Sequence, residues 1–330
     1  QPVLDDRRGD QHIDLAVATT VVTTGKSLEL SLMLDVTGSM EGTRLTDMKA
    51  AANDLLDIVM PEGETNARVA MVPFATYVNV GTTNRSQLTG RTDFPNASCV
   101  LERKRGSRTN EEPPVLGTSE FWIVNSTSTN CPPSSPVIPL TNDKSALTTA
   151  IAGLSANGAT SGHLGTAWAW YTISPQWASR WPSGSAPVSY TQADNIKAVV
   201  LMTDGNYTEF HRNADGTSAS CNGRDDCSKS RTEAKNLCDA MKSRLDAAGN
   251  EAIMIFTVGF GLEPEGTSHG DNARDTLKHC ASYDPQDPET DLSRKRKLYF
   301  FPYSGDDMRQ AFQQIGQALS AAKNGARISR

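Results

Sequence analysis

The sequence predicts an α/β protein: a doubly wound, mainly parallel sheet with helices on both faces, plus a long insertion. Three observations lead there. Short apolar runs alternate with segments of helical spacing over most of the 330 residues, the order expected of a parallel sheet covered by helices. Two of those runs end on an aspartate, Asp35 and Asp204. In open sheets of this kind, ligands bind at the carboxyl ends of the strands. Between about 81 and 140 the alternation gives way to Ser-, Thr- and Pro-rich chain too long for an ordinary loop.

Residues 1–27 read as an N-terminal β segment, because "QHIDLAVATTVVTTG" is rich in Val and Thr. The rest, 28–330, reads as one domain. "LELSLMLDV" is a buried strand ending at Asp35. In "TRLTDMKAAANDLLDIVM", the residues Leu45, Met48, Ala52, Leu55, Leu56 and Val59 follow helical spacing. "PEGE" stops that helix, and "ARVAMVPFA" is the next strand. The insertion carries "ERKRGSR", a basic run expected to be a solvated surface. A helix follows at "NDKSALTTAIAGL", with Asn142 or Asp143 as its N-cap. "SANGATSGHLGTAWAWYTI" is a glycine-rich loop opening another helix, and "NIKAVVLMTDG" is a strand ending at Asp204. "SRTEAKNLCDAMKSRLDAAG" is a helix with Gly249 as its C-cap. "EAIMIFTVGF" and "KLYFF" are strands, "ARDTLKHCA" is a short helix, and "GDDMRQAFQQIGQALSAA" is the last helix. The arrangement is Rossmann-like.

A formal net charge of −6 argues against nucleic acid as a main partner, which requires a basic face. No run of eighteen or more apolar residues occurs, so this stretch of chain does not itself provide a membrane span. The six cysteines, Cys99, Cys131, Cys221, Cys227, Cys238 and Cys280, contain no C-x-x-C pair, and the five histidines do not cluster with them. A zinc site is therefore not expected. The even count fits three disulfides in an exported protein, with fifteen connectivities open. A Cys99–Cys131 bridge would tie down the insertion.

The pattern Asp35, Thr37, Ser39 carries the chemistry. Side chains at alternate positions of an extended turn can converge on one point. Their oxygens are hard ligands suited to Mg²⁺, Mn²⁺ or Ca²⁺. Asp204 and Thr160, from later loops, are the candidates to complete the set. Two carboxylates balance a divalent ion and the hydroxyls add no charge, so such an ion could accept one further anionic oxygen. On its own, "DVTGSM" fits a strand-to-helix turn capped by Thr37 or Ser39 equally well; Thr160 and Asp204 tip the reading towards a metal.

These residues resemble the von Willebrand factor type A (VWA) domain and its metal-ion-dependent adhesion site. That motif is D-x-S-x-S, followed by a Thr and an Asp from two later loops. Asp35, Thr37 and Ser39 match it with Thr in place of the first serine, and Thr160 in "GAT" and Asp204 in "TDG" match the rest. "LCDAMKSRLDAAGNEAIMIFTVGF", "LKHCAS", "YFFPYSGDDMRQAFQQIGQAL" and the closing "ARISR" further resemble bacterial TadE/TadG-like proteins of tight-adherence pilus assembly.

The resemblance implies a module that binds a protein partner presenting Asp or Glu through a bound cation, most simply Mg²⁺, outside the cytoplasm and without turnover. It implies membrane attachment only through an N-terminal anchor, which the sequence given does not contain. It also implies a Cys238–Cys280 bridge, with Cys221 and Cys227 able to close a small loop.

Two other functions are compatible with parts of the sequence. One is an extracytoplasmic scaffold with a purely structural metal. The other is a Mg²⁺-dependent phosphatase of the D-x-D type. Thr37 stands where that chemistry needs its second aspartate, which counts against the phosphatase. Other features read as incidental. His163 is expected to be a surface or packing residue. Trp168, Trp170, Trp177 and Trp181 are expected to be core rather than a contact surface. Arg8-Gly9-Asp10 and the sequons at Asn84, Asn96, Asn125 and Asn206 are expected by chance in a chain of this composition.

Overall fold

The computed structural model of the chain describes residues 25–124, 131–219, 221 and 227–324. Most of the N-terminal β segment, Arg8-Gly9-Asp10, Asn125 and the closing "ARISR" lie outside them.

The fold grows from β1 (Ser27–Asp35), whose side chains alternate between two buried layers. Leu28, Leu30, Leu32 and Leu34 point into one layer, and Met33 into the other. The first layer is closed by α1 (Thr43–Val59), α3 (Lys144–Ala152) and α7 (Gly305–Lys323). The second is closed by α4 (Gly162–Ile173) and α5 (Ser228–Lys242). Each fully buried Leu contributes about 1.5–3 kcal/mol by removal from water, so an apolar strand of this kind can only be central.

The neighbours of β1 are β2 (Ala67–Phe74) and β7 (Asn195–Thr203), both parallel to it. β8 (Ile253–Gly259) and β9 (Tyr299–Phe300) continue the parallel sheet beyond β7. The result is mixed α/β with a central, mainly parallel sheet flanked by helices. On the far side of β2 the sheet turns antiparallel. It is extended by β3 (Val78–Asn79), β4 (Cys99–Arg103) and β5 (Phe121–Ile123), while β6 (Ile138–Thr141) also pairs β2. The Ser/Thr/Pro-rich stretch thus supplies sheet strands.

The structure departs from the sequence pattern in two places. The basic run is a solvated surface only in part: Arg105 is exposed and Lys104 half-buried, but the rest of its charge is not. Glu102 and Arg103 are buried and Arg108 nearly so. The Arg103 guanidinium lies over the rings of Phe121 and Tyr171 at 5.5 and 5.8 Å, and Arg108 lies over Phe210 at 5.3 Å. Aromatic faces and carbonyls offset the burial of charge, and no charge count can reveal that. Nor is Gly249 a helix cap: α5 ends at Lys242, with Ser243 as its C-cap. Asp246 accepts from the backbone N–H of Ala248 and Asn250 at 2.8 and 2.9 Å. That side-chain-anchored turn, with Gly249 at φ +84°, takes over from the helix.

The four tryptophans named above are core, with Tyr171 stacked on Trp177 at 4.3 Å. The α3 N-cap is Asp143, accepting from the Ala146 N–H at 2.9 Å. All six cysteines are paired, as Cys99–Cys131, Cys221–Cys227 and Cys238–Cys280. The last ties α5 to α6 (Ser268–Cys280) across β8.

The Cys238–Cys280 bridge closes a sequence separation of 42 residues, so its loss should destabilise the chain by about 2–5 kcal/mol. The paired substitution Cys238→Ser with Cys280→Ser should therefore lower the urea midpoint clearly, with the denaturant slope changing only through a looser unfolded state. An unchanged midpoint would show that the bridge contributes nothing to the helix layer it joins.

Candidate metal centre

The register of β1 and β7 decides which side chains meet. Met33 pairs with Leu201 in parallel, so two residues further on Asp35 lies beside Thr203. Thr203 Oγ1 donates to Asp35 Oδ2 at 2.7 Å, and the Thr37 N–H donates to Asp35 Oδ1 at 2.9 Å. Asp35 is fully buried. The carboxylates of Asp35 and Asp204 therefore share one low-dielectric pocket at the carboxyl ends of adjacent strands.

The chain leaves β1 through Thr37 and enters a single 3-10 turn, Gly38–Met40, before α1. Neither hydroxyl caps a helix in the ordinary way: Thr37, at the N-cap position of that turn, makes no side-chain cap bond. The hydroxyls instead form a relay. Thr37 Oγ1 lies 2.9 Å from Ser39 Oγ, and Ser39 Oγ donates to Asp204 Oδ1 at 2.8 Å. Arg44 Nη1 donates to Asp204 Oδ2 at 2.9 Å. Asp35, Thr37, Ser39 and Asp204 are thus brought into one hydrogen-bonded cluster.

Thr160 reaches the same place by a different route. The Gly38 N–H donates to the Gly158 carbonyl at 2.9 Å, and the Asn157 N–H to the Val36 carbonyl at 2.8 Å. Gly158 has φ +91°, and a Cβ there would sit 2.5 Å from Thr76 Oγ1 and 2.8 Å from Pro132. Only glycine lets this loop lie so close. Thr160 lines a cavity of about 350 Å³ together with Ser39, Arg44, Asp204 and Asn206. Ser39, Thr160 and Asp204 thus line one cavity, and Thr37 and Asp35 stand behind it, next to Ser39 and Asp204 in the hydrogen-bonded cluster.

The electrostatics describe a site that wants a cation. Burial, and then the Asp204 charge, push the Asp35 carboxyl up to about 7. Burial also raises Asp204, while Ser39 and Arg44 hold it down. Two carboxylates that resist ionising side by side are stabilised by any positive charge between them. Arg44 already supplies part of it. The donor set of two carboxylates and neutral hydroxyls suits a hard divalent ion. Among the described residues, no three or more His, Cys, Asp or Glu side chains are grouped to hold a metal ion, here or elsewhere, so a cation at this place would rest on two carboxylates and hydroxyls.

His163 does not join the cluster. It is fully buried, with Nδ1 2.7 Å from Ser230 Oγ and Nε2 3.0 Å from Glu102 Oε1. Sequence reasoning missed Thr203, Arg44 and Asn206. Arg44 had a signal: a cation in the first turn of a helix opposes the dipole and calls for a carboxylate partner. Thr203 and Asn206 flank Asp204 in "MTDGN", but nothing in that string tells which neighbours face inward.

No family model and no curated protein matches the sequence. Similarity is found among solved structures. The pilus adhesin SpaC from Lactobacillus rhamnosus GG, in its open conformation, shares 14% identity at TM-score 0.46, over 91% of this chain and 30% of that one. This chain thus spans under a third of that protein. The vWF domain of the type V pili tip protein Mfa5 from Porphyromonas gingivalis shares 13% identity at TM-score 0.47, over 91% of this chain and 97% of that one. Proximal thread matrix protein 1 from the mussel byssus, with a zinc-occupied MIDAS motif, shares 11% identity at TM-score 0.39, over 89% and 48%. The fold here is defined by strand order and register, independently of these partial superpositions.

The raised Asp35 carboxyl fixes the pH dependence of the cation-free chain. Unfolded, the group ionises near 3.8; folded, near 7. Between those values the folded chain holds a proton that the unfolded chain has lost, so this group's contribution to stability falls as pH rises. In chelator, wild type should lose stability between pH 5 and pH 8 relative to Asp35→Asn, by urea denaturation. Parallel curves for the two would show that Asp35 titrates normally.

Proposed function

We propose that the chain is a VWA-type, metal-dependent binding module that holds a partner protein through one of the partner's Asp or Glu side chains. The observation that carries the reading is the pair of buried carboxylates, Asp35 and Asp204, joined through the hydroxyls of Thr37 and Ser39. Mg²⁺ is the favoured ion, with Mn²⁺ or Ca²⁺ as alternatives. Asp35, Thr37, Ser39, Asp204 and Thr160 would hold it. Bound there, the ion would supply positive charge and a coordination position for one more anionic oxygen.

The chain's own residues do the remaining work. Asp35 is fixed from three sides, by Thr37, Thr203 and the Asp204 N–H. It therefore presents its oxygens without searching rotamers. Thr37 and Ser39 offer neutral oxygens, which leave the charge of the site available to a partner. Arg44 holds Asp204 from the cavity side and reduces repulsion within the pair.

We read the cluster as binding without turnover, because Thr37 stands where a D-x-D phosphatase needs its second aspartate. Three disulfides that use every cysteine support an oxidising, extracytoplasmic setting. No helix among the described residues is long and apolar enough to cross a membrane. The resemblance to TadE/TadG-like sequences and the disulfides favour a role in pilus assembly or surface attachment.

Calorimetric titration of Mg²⁺ tests the site directly. Wild type should bind one equivalent. Asp204→Ala and Thr37→Val should each weaken binding by about tenfold or more, which is about 1.4 kcal/mol, while circular dichroism in chelator stays native. Binding should tighten as pH rises through 7, because the carboxylates must lose their proton to the ion. Mg²⁺ uptake equal in wild type and both variants would refute the assignment.

A further inference from the structure

Arg44 stands in the first turn of α1 and lines the cavity of the cluster, where its Nη1 donates to Asp204 Oδ2 at 2.9 Å. Nothing in its own helix calls for a cation there. The N-cap, Gly42, provides no side-chain cap, and the first turn carries no acidic residue. A positive charge at this end opposes the helix dipole, so Asp204 is what holds it. The chain also keeps a seat for the guanidinium. Gly261, at φ +57°, lies against it: a Cβ there would stand 3.4 Å from Nη2 and 3.6 Å from Cζ.

The two ends of this ion pair differ in freedom. The Asp204 side chain is 1% exposed and the Arg44 side chain 41%. A guanidinium this exposed loses little when it trades its partner for water, whereas Asp204 cannot follow it. Ser39 takes one oxygen of Asp204 and Arg44 takes the other. An ion that takes Oδ2 from the cavity side therefore competes with Arg44 for it. Glu263 and His269 are the other charged or titratable side chains lining the cavity. They stand 3.7 Å from each other and open to solvent, where water and salt screen them from the buried pair.

We infer that Arg44 is the specificity residue of the site: it covers Asp204 until a cation arrives, and then serves as a second positive group for the partner's carboxylate. Charge is the reason. With both carboxylates ionised, Arg44 leaves the cluster with a single negative charge in excess. A divalent ion turns that into a single positive charge in excess, which a partner's carboxylate cancels. Without Arg44 the loaded cluster would already be neutral, and an incoming carboxylate would make it negative. Arg44 stays charged throughout, and its planar fork matches a carboxylate with two parallel donors. It therefore weakens the hold on the cation and strengthens the hold on the partner. The inference rests on the metal-dependent binding proposed above.

The test uses the whole chain. Calorimetry reads its affinity for Mg²⁺, and NMR titration at constant ionic strength reads the affinity of the Mg²⁺-saturated chain for acetate. In Arg44→Gln, Mg²⁺ should bind about threefold or more tightly and acetate about fivefold or more weakly. Opposite signs separate this role from a merely structural one, in which losing Arg44 loosens the site and weakens both. Arg44→Lys keeps the charge without the fork and should bind acetate with intermediate affinity. With ¹⁵N-arginine label, the wild-type Nε–H signal that disappears in Arg44→Gln should move when Mg²⁺ is added, and again with acetate. Affinities in Arg44→Gln that stay at wild-type values or change in the same direction, or an Arg44 signal that neither addition moves, overturn the inference and leave the metal-dependent reading standing. Failure of the wild-type chain to take up Mg²⁺, or of the loaded chain to bind acetate, overturns that reading, and this inference with it.

Discussion

Two carboxylates are buried side by side at the ends of two parallel strands, and much of the molecule can be understood as the means of keeping them there. At an effective dielectric constant of about 20, two like charges 4 Å apart repel by about 4 kcal/mol. The chain answers in three ways. It withholds ionisation from Asp35, whose carboxyl is pushed up to about 7. It surrounds Asp35 and Asp204 with donors from Thr37, Thr203 and Ser39. It places a guanidinium, that of Arg44, against Asp204. A parallel β1–β7 pair makes this unavoidable, because its register lays the last residues of both strands at one edge.

The insertion is bound to this arrangement from behind. Glu102, on β4, accepts from the His211 N–H at 2.8 Å and meets His163 of α4 at 3.0 Å. His163 in turn meets Ser230 of α5. Burial would raise the Glu102 carboxyl, but the hydrogen bond with His163 and the neighbouring His163 and His211 hold it down to about 2. The same α4 begins just after Thr160, and His211 follows the strap that carries Asn206. A buried, fully engaged polar network therefore joins the added strands to the two loops that frame the cavity. Networks of this kind fix one arrangement more than they add net stability.

The parallel core was legible because burial on both faces leaves near-continuous apolar runs such as "LELSLML", and because aspartates end two of them. The five convergent residues were legible because each closes a strand or opens a helix, where topology dictates proximity. The basic run was misread because Arg103 and Arg108 are housed by rings that come from Phe121, Tyr171 and Phe210, all distant in sequence. Gly249 was misread because the Asp246 side chain competes locally with the helix. Thr203 and Asn206, at and just beyond the end of β7, escaped notice for one shared reason. Which side of a strand end a residue faces depends on register with its neighbour, and register is not written in a single strand.

The central claim is that Asp35, Thr37, Ser39, Thr160 and Asp204 form a divalent cation site. A crystal structure of the chain grown in Mn²⁺, with anomalous diffraction collected at the manganese edge, tests it most directly. The account predicts one strong anomalous peak within coordinating reach of the Thr37 and Ser39 hydroxyls and enclosed by the two carboxylates. Well-ordered density for the five side chains with no peak among them, at Mn²⁺ concentrations well above those typical of such sites, would contradict it.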